Sequence, residues 1–216
     1  DDITTNPGSN KQAAAEIDRF APVNSNKGVK DCWADHYAII KAANFIILNA
    51  SKTPTDETSM KQAIGQAKFW RAYAYFTLVR IFGDIPLTLD NENDDFTMTP
   101  SPVEKVYEQI VADLTSEECE SLPESYKDAP AFMNGVNVYV TKAALQSTRA
   151  AVYMAMAGWP LEKGASYYAK AAEEAKKVIE GAQNGTYDIR MDDNYYDVYA
   201  MSNNYNKETI LGINYS

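Results

Sequence analysis

Apolar positions are densest between residues 66 and 87 of the chain. After Lys68 only Arg71 and Arg80 interrupt the apolar surface until Phe82. A helix that is apolar almost all round has no face to give to water, so neighbouring helices must enclose it. Gly83 suits the left-handed position after a helix end, and Pro86 forbids the helix from resuming. The pattern predicts one central helix that organises the fold and feeds a fixed loop from its last turn.

Weaker periodicities surround this segment. Asn10 to Phe20 reads as a short helix, and Pro22, Asn24, Asn26 and Gly28 mark a surface loop. Trp33, Tyr37, Ile40, Asn44 and Ile47 recur at steps of four, three, four and three, one face of a helix over Lys30 to Ala50. Asn44 on that face reads as a buried amide with its hydrogen bonds met. Thr53-Pro54-Thr55-Asp56 predicts a helix start, with Thr53 as the cap and Pro54 at the first helical position. Ser101-Pro102-Val103-Glu104 reads as a capping box for a helix reaching about Cys119.

The clearest pair follows. Thr141 starts a helix through Ala157, ended by Gly158-Trp159-Pro160; a partner runs from Leu161 or Lys163 to Glu180, stopped by Gly181. In the partner, Tyr168, Ala172, Ala175 and Ile179 recur at helical spacing. Small alanines let such helices approach closely, the packing logic of tetratricopeptide hairpins, although the strict consensus is absent. Residues 183–206 turn rich in Asn, Asp and Tyr, and Thr209 to Tyr215 has strand-like composition. The fold class expected is therefore mostly all-α. Degenerate tetratricopeptide-like hairpins surround a buried central helix, with long loops at 83–100, 121–140 and 183–206.

Charge narrows the partners. Thirty acids against twenty bases leave a net charge of −10. Such a surface repels phosphate backbones and anionic lipid, so nucleic acid is not expected as a partner. The apolar runs fall far short of the roughly 18 residues that a spanning helix needs. No signal peptide is visible before Asp1-Asp2. Cys32 and Cys119 are the two cysteines, and nothing in their spacing demands a disulfide.

Candidate chemistry is sparse. The one histidine, His36, cannot build a multi-histidine metal site, and neither cysteine shows a histidine neighbour in the pattern of a thiolate nucleophile. Nucleophile-elbow, zincin, P-loop and dinucleotide motifs are missing. Residues 90–95 offer four acids and two asparagines, oxygen donors suited to calcium, but the EF-hand spacing fails. A solvated acidic loop is the default there, and no metal or cofactor is expected.

Aromatics are the remaining candidates, fifteen tyrosines and three tryptophans. Sugars lay their C–H faces on flat rings while amides and carboxylates bond the hydroxyls, so aromatic side chains among polar ones fit a glycan site. Trp70, Tyr73, Phe76, Tyr153 and Tyr168 lie at helical spacing and read as core. Trp33, Trp159, Tyr195, Tyr196 and Tyr199 lie in or beside loops, open to packing or to ligand contact, and form the candidate ligand-binding set.

The run from Ala67-x-x-x-Arg71-Ala72-x-x-x-Phe76-x-Leu78-Val79 to Phe82-Gly83-Asp84-Ile85-Pro86-Leu87 resembles the signature of the SusD-like (RagB/SusD) family. Its flanks agree in order: Trp33-x-x-x-Tyr37-x-x-Ile40-x-x-x-Asn44 before it, then Val106-Tyr107-x-x-Ile110-x-x-Asp113-Leu114, Val140-Thr141-Lys142-x-Ala144 and Lys207-Glu208-Thr209-Ile210-Leu211-Gly212-Ile213. One departure is the lack of an arginine just before the helix at 101–104. The resemblance implies a single helical domain over 1–216, the N-terminal part of a longer outer-membrane lipoprotein whose lipid anchor lies upstream. It further implies a non-enzymatic protein that binds oligosaccharide at the cell surface and works with a SusC-like TonB-dependent transporter in nutrient uptake. The matching residues are scaffold, so no binding residue follows from the resemblance. Two other readings stand beside it. A helical glycoside hydrolase would require two carboxyls converging across a cleft. A tetratricopeptide-type adaptor would grip peptide in a concave groove.

Overall fold

The computed structural model describes residues 12–90, 98–125, 139–200 and 206–212. Among them lie eight α-helices: α1 (Gln12–Asp18), α2 (Lys27–Asn49), α3 (Glu57–Phe82), α4 (Val103–Leu114), α5 (Glu117–Glu120), α6 (Lys142–Ala157), α7 (Ala165–Gln183) and α8 (Tyr195–Val198). The fold is all-α, as the pattern predicts. Residues 209–212 form no strand, with bends at 210 and 211, and residues 213–215 lie outside the described residues. So does most of the acidic run at 90–95.

Enclosure of α3 is the organising event. Every residue from 64 to 79 is buried or half-buried. α2 lies against α3 on one side, α4 and α5 on the other, and α6 touches it more sparsely. Phe69, Tyr75 and Leu78 are wholly buried with Ile40 of α2 and Ile110 and Leu114 of α4. Each such side chain removed from water contributes about 1.5–3 kcal/mol. The α2 stripe faces inward as its spacing predicts, with Ile40 and Asn44 buried and Trp33, Tyr37 and Ile47 half-buried.

Helix starts depart from the sequence reading at two places. Asp56, not Thr53, caps α3, its carboxylate accepting from Ser59 N–H at 2.9 Å. The second departure lies at α4, where Pro102 takes the cap position without a side-chain bond. Ser101 is consumed instead by a two-bond antiparallel bridge with Ile85, and Asp84 reaches across the loop to accept from Val103 N–H at 2.9 Å. A capping acid 19 positions upstream does what a local box would have done, and it closes the loop in the same contact. Glu104 pairs with Lys163 of the α6–α7 turn.

A buried arginine fixes the loop after α3. The Arg71 fork donates to both carboxylate oxygens of Asp113, from Nε at 2.8 Å and Nη2 at 2.6 Å, and its Nη1 donates to Asn44 Oδ1 at 2.8 Å. Asn44 in turn donates to the carbonyls of Thr88 and Asp90, so its buried amide is indeed satisfied. Tyr75 donates to the Thr88 carbonyl at 2.7 Å and accepts from the Thr88 N–H at 2.8 Å, while Tyr37 donates to the Pro86 carbonyl. Burial raises the Tyr75 hydroxyl above its ordinary pKa, and it stays a donor. Gly83, at φ 73°, turns the chain out of α3.

The hairpin α6–α7 is joined to this body by Arg149. Its Nε donates to the Leu114 carbonyl at 3.0 Å, and its terminal nitrogens meet Glu120 and Glu174. Glu174 belongs to the inward face of α7, which is Ala171, Glu174, Val178 and Gly181. The face read from the sequence is therefore rotated: Tyr168 and Ile179 are more than half exposed. A buried acid on the true face hid it from an apolar count. Gly181 does not stop α7. It leaves room for the Tyr187 ring, which a Cβ there would meet at 2.3 Å.

Candidate functional site

Residues 184–200 and 206–212 return over the α6–α7 hairpin and carry the largest set of exposed rings among the described residues. Tyr187 fastens it. Its ring fills the Gly181 gap, its hydroxyl donates to Gln146 Oε1 at 3.0 Å, and its N–H donates to the Gly181 carbonyl. Arg190 N–H donates to the Lys207 carbonyl, Asp192 N–H to Glu208 Oε2, and Lys207 pairs with Asp188 at 2.5 Å. Asn206 accepts from the N–H groups of Glu208 and Thr209 and donates to the Val198 carbonyl. These bonds tie α8 to the returning strand of loop.

On α8, Tyr195 meets Tyr196 and Tyr199 edge-on, with ring centroids 6.1 and 5.4 Å apart. All three rings are more than two-thirds exposed. A hydrogen bond with Tyr195 raises the pKa of the Tyr199 hydroxyl. Asn194 caps α8, accepting from Tyr196 N–H at 3.2 Å. The rings thus form a compact, exposed aromatic platform, with Asn194 and Asp197 beside them along the chain and Asn206 bonded to the Val198 carbonyl.

The other two candidates stand apart from this cluster. Trp33 sits in α2, half-buried between Tyr37 at 4.8 Å and the Phe82 ring edge-on at 5.0 Å, a helix-packing position. Trp159 is 85% exposed at the turn between α6 and α7. Of the five residues, the structure brings together Tyr195, Tyr196 and Tyr199.

The tail also borders two clefts. One, about 380 Å³, is mostly apolar and lies between the end of α7 and the segments 189–191 and 207–210. The other, about 510 Å³, opens between α3 and α6 beneath residues 208–211, with Tyr73, Phe76 and Arg80 on one wall. Arg80 figures in the sequence only as a break in the apolar run, and its place beside a cleft depends on how the tail folds back.

Both cysteines are free thiols. Burial pushes the Cys119 thiol up to about 11, and Cys119 donates to the Gly65 carbonyl at 3.4 Å. Cys32 and His36 lie one helical turn apart, a neighbourhood the sequence reading overlooked, with Sγ 3.8 Å from Nδ1. That nitrogen is 2.7 Å from the Cys32 carbonyl and must donate to it, so it is no base for the thiol. No group of three metal-ligating side chains forms among the described residues. No helix among them is long and apolar enough to cross a membrane.

Residues 4–154 match the SusD-like_3 family model, described as starch-binding and associating with the outer membrane. The chain belongs to the SusD-like family. It is 30% identical over 204 residues, 93% of its length and 36% of the relative's, to SusD-like protein P2 of Formosa agariphila. A crystal structure of a SusD superfamily protein from Parabacteroides distasonis superposes with a TM-score of 0.71 at 28% identity, covering 84% of this chain and 36% of that one. A crystal structure with xylogluco-oligosaccharide superposes with a TM-score of 0.75 at 25% identity, covering 91% and 37%. The chain spans about a third of the length of the curated relatives it matches.

Proposed function

We propose that the full-length protein captures oligosaccharide at the outer-membrane surface and passes it to a SusC-like TonB-dependent transporter. This chain would be its N-terminal helical part, held at the cell surface by a lipid anchor upstream. The role is binding without turnover. The two most buried carboxylates among the described residues, Asp113 and Glu174, are paired with Arg71 and Arg149, which suits scaffolding.

The observation that carries the reading is the Tyr195–Tyr196–Tyr199 platform. Its rings lie open to solvent, and Asn194 and Asp197 adjoin them along the chain. A sugar face stacked on such rings loses apolar surface to water while its hydroxyls find amide and carboxylate partners. The family's association with starch and the xylogluco-oligosaccharide of a structural relative support the ligand class.

Calorimetric titration of the full-length protein with a panel of neutral oligosaccharides tests it. Tyr195→Ala with Tyr199→Ala is expected to weaken the bound glycan at least about tenfold, since each stacked ring contributes on the order of 1 kcal/mol. Glycan hydrolysis by the purified protein would overturn the binding-only assignment.

A further inference from the structure

The cleft between α3 and α6 is bordered by an exposed cation without an internal partner among the described residues. Arg80, in the last turn of α3, lies with its guanidinium 4.1 Å from the centre of the Phe76 ring, and its Nε donates to the Phe76 carbonyl at 3.0 Å. Ring and carbonyl together fix the plane of the fork. Among the described residues, no carboxylate pairs with Arg80 and no acceptor meets Nη1 or Nη2. Arg71 spends its terminal nitrogens on Asp113 and the Asn44 amide oxygen, and Arg149 spends its own on Glu120 and Glu174; those of Arg80 meet no acceptor among the described residues.

The surroundings have a matching chemistry. Half-buried Tyr73 gives the cleft an aromatic wall, Phe76 lies buried beneath the Arg80 fork, and Ser147 and Thr148 of α6 line the opposite side. Glu208, the acid at the rim, is held on the Asp192 amide. A volume of about 510 Å³ lies in the range of small-ligand sites. A held guanidinium fork binds a carboxylate through two parallel charge-assisted bonds and loses little side-chain freedom on doing so.

We propose that this cleft is a binding site for a carboxylate-bearing sugar, a hexuronate. Its carboxylate takes the Arg80 fork, its ring lies along Tyr73, and its hydroxyls meet Ser147 and Thr148. The sugar half rests on the glycan-binding function proposed above; the carboxylate half rests on Arg80 alone. The site is distinct from the tyrosine platform on α8.

The test is a titration of the full-length protein with glucuronate, methyl glucoside and acetate, followed by calorimetry or ligand-observed magnetic resonance. Glucuronate is expected to bind at least about tenfold more tightly than either of the others, the loss expected for one charge-assisted pair. Arg80→Gln should abolish that margin, and Arg80→Lys, which keeps the charge without the fork, should retain part of it. In a Tyr195→Ala, Tyr199→Ala background, glucuronate should still be preferred over methyl glucoside, and adding Arg80→Gln should remove that preference. Equal binding of glucuronate and methyl glucoside, or an Arg80→Gln protein that binds glucuronate normally, overturns the site. Acetate binding as tightly as glucuronate overturns the sugar assignment. Loss of neutral-glycan binding alone strikes the platform and leaves the Arg80 site standing.

Discussion

Replacing Gly65 by alanine sets two effects of known size against each other. Gly65 lies in the interior of α3, where alanine is the better helix former by about 0.8–1.0 kcal/mol. If nothing stood near it, Gly65→Ala would stabilise the protein by that amount. The crossing of α5 over α3 decides otherwise. A Cβ at Gly65 would sit 2.3 Å from the Glu118 carbonyl oxygen, 2.8 Å from its carbon and 3.3 Å from Cys119 N. These are backbone atoms, so no rotamer change relieves the overlap. α5 must move by roughly 1 Å to reach van der Waals distance. It cannot do so alone, because Lys68 holds Glu118 at 2.6 Å and Cys119 is wholly buried and bonded to the Gly65 carbonyl.

Overpacking of this kind costs about 1–3 kcal/mol, and the displaced bonds add to it. Set against the propensity gain, the net is a loss of roughly 1–2 kcal/mol, a fall in Tm of about 2–8 °C for a chain of this size. Thermal and denaturant melts of Gly65→Ala beside the parent check it. Ala63→Gly, an exposed position two residues away, isolates the propensity term and should cost about 1 kcal/mol. A Gly65→Ala protein as stable as the parent, or more so, would refute the claim that α5 is clamped on α3 at van der Waals contact.

Three further outcomes follow from the buried groups. Arg71→Met should destabilise by about 3–5 kcal/mol in denaturant melts, since it strands the Asp113 carboxylate in the core, and adding Asp113→Leu should recover much of the loss. The Cys119 thiol, raised by burial from an ordinary value of 9.0 to about 11, keeps its proton in the folded state where the unfolded thiol has lost it, so it lowers stability as pH rises from about 9 to 11, by about 2–3 kcal/mol in all; Cys119→Ala should flatten that part of the stability profile. At pH 8 iodoacetamide should label half-buried Cys32 and spare Cys119 until the protein unfolds.

What the sequence disclosed, and what it hid, divides along one physical line. Periodicity reports burial of apolar side chains, so it found α3 and the inward stripe of α2, down to the amide of Asn44. It could not report a bond that spans the chain. Ser101 looked like a cap because Ser-x-x-Glu is a local pattern; it is spent on Ile85, and the cap comes from Asp84 across the loop. The face of α7 was misread for the same reason. Glu174 breaks the apolar count, yet it points inward because Arg149, 25 positions earlier in the chain, is there to meet it.

The candidate site follows the same division with a different outcome. Tyr195, Tyr196 and Tyr199 are close in sequence, so a short helix suffices to gather them, and their polar setting was legible as composition. Trp33 was singled out for following a polar loop, but the rings that claim it are Tyr37, one turn along its own helix, and Phe82, nearly fifty residues away. Arg80 is the converse case. Nothing local distinguishes it from Arg71, nine residues earlier on the same helix. The difference is that Asp113 comes round to Arg71, whereas Arg80 faces the gap where α6 diverges from α3 and the tail passes over. An arginine neutralised within the fold is scaffold; one held in place by a ring and a carbonyl, with its fork still unspent, is available to a ligand. That distinction depends on long-range topology, which is why only the folded chain reveals it.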